Sequence, residues 1–381
     1  MIAIDGIVGA RPNLMKMAPL ARALAADGVF QLRLIHTGQH YDRAMSEVFF
    51  EELGLSQPAF NLEVGGGTAG EQTARILERY EGILLDGPRP RGVVVVGDVT
   101  STMACTLAAV KLGVSVAHVE AGLRSGDRSM PEEINRIVTD SVADLLLVSD
   151  ASGLSNLARE GHPNSKVSFV GNLMIDTLFR ELPRAEQSPV LKELGLEGLP
   201  YAYLTLHRPA NVDDPTVLQS LMDTVTSLSE DLPIVFAVHP RTRARLANLK
   251  PPFTPSERLR IIEPLGYRDN LQMIRSAAVV LTDSGGIQEE SSVLNVPCLT
   301  LRDSTERPVT VELGSSELVG ANSERIREAW SRVRSGRWKK CAGIPLWDGQ
   351  TAGRIVAVLR KAWGQDRPSG SMGGPHAGVS A

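Results

Sequence analysis

Three apolar segments end in a side chain able to exchange a proton: VVVVGD closes on Asp98, VSVAHVE on Glu120 and YAYLTLH on His207. An ionisable group following a buried strand is partly desolvated, which raises a carboxylate toward neutrality and suits it to proton transfer. Each of the three, taken alone, reads equally well as a loop or capping residue. What sets the region apart is crowding. The run HVEAGLRSGDRSMPEEINR, from His118 to Arg136, packs Glu120, Asp127, Glu132 and Glu133 between cations. Ser129-x-x-Glu132 fits a capping box ahead of a helix whose core face is Ile134, Ile137, Val138 and Val142. Glu132, Asn135, Arg136 and Thr139 share another face of that helix, so Arg136 at i+4 can orient Glu132 toward a cleft and favour its ionised form. Asp127 and Glu133 read as loop and surface charge, and His118 as a buried structural residue.

Two further stretches suit anions. In GARPNLMKMAPL, Arg11 stands on the turn after a strand, Pro12 at the first helical positions and Lys16 about one turn in, so a helix N-terminus is flanked by two cations. In TDSGGIQEE, a strand ends at Thr282, Ser284 can cap a helix, and Gly285 and Gly286 let the backbone approach a phosphate; Glu290, one turn inside, can accept both hydroxyls of a ribose. Surface charge and a capped glycine turn are the plain readings of these two segments. Neither matches the dinucleotide or Walker fingerprint. No histidines or cysteines show metal-ligand spacing, and no serine-hydrolase elbow occurs.

The elements that must carry these residues are short Val-, Ile- and Leu-rich runs alternating with helical patterns. In the first half they are IAIDGIV, LRLIHTG, VVVVGD, VSVAHVE, DLLLVSD and KVSFVGN. The second half restarts with PYAYLTLHR and continues through PIVFAVHP, LRIIEP, AVVLTDSGG and VPCLTLRD. Continuous apolar runs suit strands buried on both faces of a parallel sheet. The expected fold is α/β, with two Rossmann-like domains facing across a cleft: 1–172, 173–364 with a last helix that either completes the second domain or crosses to the first, and a Gly-, Pro- and Ser-rich disordered tail over 365–381. The chain has 381 residues, with 40 Lys and Arg against 44 Asp and Glu; a net charge of −4 offers no basic field for nucleic acid. Cys105, Cys298 and Cys341 read as reduced thiols. With no secretory leader and no apolar run of membrane-spanning length, the expectation is a cytoplasmic protein.

Taken in order, GARPNLMKMAP, HTGQHYD, VGDVTST, AHVEAGLRSGD, MPEEINR, GNLMIDTL, LHRP, VHP, TDSGGIQEE and RDSTERP resemble the non-hydrolysing UDP-N-acetylglucosamine 2-epimerases, related in fold to the two-domain GT-B glycosyltransferases. The resemblance implies an enzyme that needs neither NAD nor metal and interconverts UDP-GlcNAc and UDP-ManNAc. UDP is eliminated across C1–C2, leaving a bound 2-acetamidoglucal, and is added back with protonation on the opposite face. It further implies that Asp98, Glu120 and Glu132 handle the protons, with His207 near the glycosyl–phosphate bond. Arg11, Lys16, Arg136 and Arg307 would serve the diphosphate or its support, Ser284, Gly285 and Gly286 a phosphate, Glu290 the ribose, and the segment Leu265 to Asn270 the uracil side. Gln39, His40 and His239 match a second, allosteric UDP-GlcNAc site of several members. Pro209 replaces the family's cation after the histidine, and MPEE stands where the best-known members carry WPEE in a longer loop. The latter admits a modified substrate such as a UDP-diacetamido-uronic acid. A homodimer and closure of the domains are family expectations. A GT-B glycosyltransferase, a hydrolysing epimerase and a sugar-nucleotide sensor are the rival readings.

Overall fold

The computed structural model describes residues 1–38, 50, 53–250 and 252–364, with residue 11 described in its backbone alone. Gln39, His40 and the 365–381 tail lie outside the described residues.

Both halves form parallel sheets. The first has seven strands in the order β3-β2-β1-β4-β5-β6-β7, with β1 Ile2–Val8, β2 Phe30–His36, β3 Phe60–Asn61, β4 Gly92–Val96, β5 Ser115–Val119, β6 Leu145–Val148 and β7 Val167–Phe169. The second has six in the order β10-β9-β8-β11-β12-β13, with β8 Ala202–Thr205, β9 Ile234–Ala237, β10 Leu259–Ile262, β11 Val279–Thr282, β12 Cys298–Thr300 and β13 Ser316–Leu318. Every apolar run read as a strand is one. The short β3 and β13, too brief to show a period, were not foreseen.

Strand periodicity explains why both sheet faces are covered. Val94 and Val96 enter one core with Ile4, Leu20 and Leu24, whereas Val93 and Val95 enter another with Ile76, Tyr80 and Ala104. In the second sheet Leu204 and Leu281 join one cluster, and Tyr203 and Val280 the other. A sheet apolar on both sides is stable only between two helical layers. Strand order reverses between β1 and β4 and again between β8 and β11, leaving a crevice at the carboxyl ends of each pair.

The last helix, Thr351–Trp363, crosses back. Ala352, Ile355, Leu359 and Trp363 belong to the first-domain core with Ile4, Leu20 and Val94, as do Leu173 and Met174 of helix Leu173–Ala185. Asp176 of the latter accepts from the backbone nitrogens of Thr351 (3.1 Å) and Ala352 (2.7 Å), and the Trp363 indole donates to Ser115 Oγ at 3.1 Å. A Cβ at Gly92 would come within 2.5 Å of that indole, so glycine there admits the ring.

Candidate active site

At the first crevice, Asn13 ties two strand ends together. Its Oδ1 accepts from Ala10 N (3.0 Å) after β1, and its Nδ2 donates to Val96 O (2.8 Å) at the end of β4. Lys16, one turn further along the same helix, Arg11–Asp27, donates to Glu120 Oε2 at 2.5 Å with both side chains buried. The other Glu120 oxygen, Oε1, is buried without a hydrogen-bond partner. Glu120 follows β5 in the left-handed region, at φ 72°.

Asp98 stands beyond β4. Its Oδ2 accepts from Arg136 Nε (3.1 Å) and Nη2 (2.6 Å), and its carbonyl accepts from Asn135 Nδ2 (2.8 Å). Burial pushes the Asp98 carboxyl up, but Arg136, Lys16 and Arg307 together outweigh it and hold the group below its ordinary value.

The helix Pro131–Val142 corrects several expectations. Its N-cap is Met130, without a side-chain cap bond; the Ser129 hydroxyl and N–H both go to Asp127 Oδ1. The capping box is therefore not formed. Arg136 does not pair with Glu132: its Nη1 donates to Glu133 Oε2 at 2.6 Å. Glu133, expected at the surface, is 2 % exposed and also accepts from Ser125 N and Gly126 N at 2.9 Å each. The buried face is Glu133, Asn135, Arg136, Thr139 and Asp140, whereas Ile134, Ile137, Val138 and Val142, expected to form the core face, are half-buried, as is Glu132. A polar stripe can be buried here because its groups find charged and backbone partners. Asp127 is an exposed loop residue and His118 a buried one, as expected.

The second crevice is organised by carboxylates that sequence reasoning did not single out. Asp283, fully buried after β11, accepts from His207 N (3.0 Å), Arg208 N (2.8 Å) and Asn211 Nδ2 (3.1 Å), and lies 2.9 Å from His207 Nδ1. Burial pushes Asp283 up, and these partners pull it below its ordinary range. With Nδ1 engaged, His207 keeps Nε2 for other contacts. His239 caps the helix Pro240–Ala247 by accepting from Arg241 N, its ring centroid 6.0 Å from that of His207; burial and the neighbouring His207 depress its pKa.

Ser284 is the N-cap of helix Gly285–Val293, but its hydroxyl makes no cap bond and its N–H donates to Thr282 Oγ1 at 3.0 Å. A Cβ at Gly285 would meet Glu306 Oε1 at 3.0 Å and Arg307 Nη1 at 3.1 Å, whereas nothing lies within 4 Å of one at Gly286, so the approach to this helix end is open there. Arg307 donates to Glu289 Oε1 and, at 2.8 Å, to Glu306 Oε1, and its Nη2 stands 4.0 Å from Glu120 Oε2 of the first domain. Asn172, between the domains, donates to the same Glu289 oxygen at 3.0 Å. Burial pushes Glu289 up, and nearby Glu120 pushes it the same way against the pull of Arg307. Glu306 also pairs with Arg302 (2.8 Å) and, more loosely, Arg208 (3.7 Å). Glu290 is buried beside them in sequence, Asn270 Oδ1 accepts from Tyr203 Oη at 2.7 Å, and Leu265 is half-buried against the hydrophobic cluster that includes Tyr203 and Met273.

Acids and bases from both switch points thus converge through Arg307, next to an open helix N-terminus. Such a set can move protons on one side of a ligand and neutralise a leaving anion on the other. Among the described residues no group of three or more His, Cys, Asp or Glu is placed to hold a metal ion. No helix of the described residues is long and apolar enough to cross a membrane.

The family model for UDP-N-acetylglucosamine 2-epimerase matches residues 22–360. A UDP-N-acetylglucosamine 2-epimerase of Methanocaldococcus jannaschii is 42% identical over 93% of this chain and 97% of its own. A UDP-2,3-diacetamido-2,3-dideoxy-D-glucuronate 2-epimerase of Pseudomonas aeruginosa is 38% identical over 93% of this chain and 98% of its own. The crystal structure of the M. jannaschii enzyme in complex with UDP-GlcNAc and UDP superposes with a TM-score of 0.84 at 41% identity, covering 94% of this chain and 100% of that one. With two parallel α/β sheets in GT-B-like array and agreement along nearly its whole length, the chain belongs to the UDP-N-acetylglucosamine 2-epimerase family.

Proposed function

We propose that the protein interconverts UDP-GlcNAc and UDP-ManNAc without hydrolysis, by anti elimination of UDP to a bound 2-acetamidoglucal and re-addition from UDP. The observation that carries this reading is the pairing of Glu120, one oxygen held by Lys16 and the other without a partner, with an ionised Asp98 held by Arg136. C2 has no adjacent carbonyl, so its proton leaves only together with the C1 substituent, and two proton-transfer groups are needed for the two faces. Asp98, Glu120 and Glu132 fill those roles. His207, oriented by Asp283, serves the glycosyl–phosphate oxygen. Arg11, Lys16, Arg136 and Arg307 stabilise or support the leaving diphosphate, Ser284, Gly285 and Gly286 bind phosphate, Glu290 the ribose, and Leu265 and Asn270 the uracil side. Gln39, His40 and His239 form the allosteric contact set.

The test is incubation with UDP-GlcNAc in D2O without an acceptor. Deuterium at C2 of both epimers is expected; no exchange in any UDP-HexNAc overturns the reading. Release of free ManNAc and UDP marks the hydrolysing reaction, and transfer only when an acceptor is added marks a glycosyltransferase. The P. aeruginosa relative supports a second reading, epimerisation of a UDP-diacetamido-uronic acid, and the same experiment on that sugar nucleotide decides between substrates.

The domains are assigned as 1–172 and 173–364, in a cytoplasmic enzyme that supplies an amino-sugar nucleotide for polysaccharide synthesis. It acts as a homodimer. Ile134, Ile137 and Val138, with Met103 and Leu107 of the neighbouring helix Thr100–Lys111, are half-buried and join no hydrophobic cluster among the described residues, which supports this face as the one covered by a second copy. Light scattering of the wild type and of Ile137→Asp is expected to give a dimer and a monomer; a monomeric wild type overturns the assignment.

A further inference from the structure

Glu120 occupies backbone space that side-chain-bearing residues rarely adopt, at φ 72°. Such a conformation persists only where its surroundings over-determine it. The β-ladder does not supply that constraint, because Glu120 N and Ala121 N donate to one acceptor, Leu147 O, at 3.0 and 3.2 Å. The constraint comes from a carboxylate on another element. Asp140 Oδ1 lies 2.6 Å from His118 Nδ1, two residues before Glu120, and its Oδ2 accepts from Gly122 N at 2.9 Å, two residues after. Arg124 Nη1 supplies a third bond to Oδ2 at 2.8 Å. Asp140 thus holds the turn on both sides of Glu120.

His118 carries the constraint onward. Its Nε2 lies 2.9 Å from Gly97 O, the peptide oxygen immediately before Asp98. Each ring nitrogen thus faces an oxygen, so the ring spans from Asp140 to the peptide that precedes Asp98. Helix Pro131–Val142 therefore reaches both catalytic carboxylates: Asn135 and Arg136 fix Asp98, and Asp140, one turn further on the same face, fixes the Glu120 turn. His118 and Asp140 are 0 and 1 % exposed, which leaves them no contact with a substrate.

We infer that Asp140 and His118 are a buried positioning pair that sets the spacing of Glu120 and Asp98, and through it the proton-transfer geometry. The inference rests on the proton roles given to those two carboxylates above. A displacement near 1 Å at a reacting group costs ~100-fold in rate. In the full-length protein, Asp140→Asn is expected to lower kcat for epimerisation by ~100-fold while KM and the Kd for UDP stay within about threefold, since binding lies mainly with the second domain. Misplaced proton donors also let the glycal escape, so the variant is expected to release 2-acetamidoglucal with UDP, a product that simple loss of stability does not generate.

His118→Gln keeps a donor toward Gly97 O and drops the bond to Asp140. It is read by the same criteria should Asp140→Asn fail to fold. A folded variant with kcat within threefold of wild type overturns the pair's role, as does kcat loss matched by loss of UDP binding. Failure of the functional reading shows separately, as absence of turnover by the wild type. A crystal structure of the variant, with Glu120 moved from Lys16 or left in place, decides the positional claim irrespective of activity.

Discussion

Glu120 is the residue on which most of the proposed chemistry converges. Its Oε2 is occupied by Lys16, its Oε1 is buried without a partner, and Arg307 approaches from across the cleft. Glu120→Gln preserves shape and removes the proton acceptor, so C2 exchange in D2O is expected to fall by ~10²–10⁴-fold with UDP affinity within about threefold. Unchanged exchange removes Glu120 from the reaction. The placement of Asp98, Glu120 and His207 beyond strand ends was legible in the sequence, because a side chain following a buried strand is held at the sheet's carboxyl edge whatever the tertiary detail. Adjacent acids were harder. Glu132 and Glu133, like Glu289 and Glu290, differ by about 100° around a helix, and sequence does not give the phase to that accuracy. The buried partners of the cations, Glu133 and Glu289, were accordingly missed, as were Asp283 and Glu306, whose partners are set by packing between elements.

At the scale of elements, the Pro131–Val142 helix shows how an apolar stripe misleads. Ile134, Ile137, Val138 and Val142 have the period of a core face, yet the opposite, charged stripe is buried. The usual rule weighs transfer of side chains from water and assumes that buried charge lacks partners. Here Arg136 makes bonds to both Asp98 and Glu133, and Glu133 accepts two backbone N–H groups. Removing the shared cation leaves two carboxylates facing each other's vacated partner, so Arg136→Ala is expected to cost about 3 kcal/mol in denaturant unfolding. A change below about 0.5 kcal/mol contradicts the burial argument. Close contact between elements makes a second prediction. Gly122, at φ 81°, lies so near the helix Ala151–Arg159 that an added Cβ would stand 2.5 Å from Gly153 O. Gly122→Ala therefore combines left-handed strain with a clash against backbone, and a loss of at least ~2 kcal/mol is expected.

For the whole molecule, alternation of apolar runs with helices was enough to read two parallel α/β domains, because each strand run lies between turn signals and is too long and too apolar for a loop. The path of the last helix was not readable: an amphipathic stripe fits either domain, and it is the Trp363 bond to Ser115 and the place beside Gly92 that select the first. The first domain is consequently closed by residues from the end of the chain. Trp363→Ala is expected to destabilise it by about 3–5 kcal/mol, measured as loss of amide-exchange protection in β1, β4 and β5. Protection lost only in the second sheet contradicts this closure.

The cluster around Arg307 bears on how charge is handled when a ligand arrives. Before any diphosphate binds, Arg307 is already shared by Glu289 and Glu306, with Glu120 close by. An incoming dianion adds negative charge beside carboxylates whose cations it borrows, and Glu289, pushed up by burial, is the one best placed to respond by protonation. Association with UDP-GlcNAc, whose diphosphate has no titrating proton near neutrality, is therefore expected to take up a proton from the buffer. Calorimetry in buffers of unlike ionisation enthalpy reads this as a binding heat that changes with the buffer in wild type, and Glu289→Gln is expected to flatten it. The substrate would then bring with it from solution a proton stored beside the reacting centre.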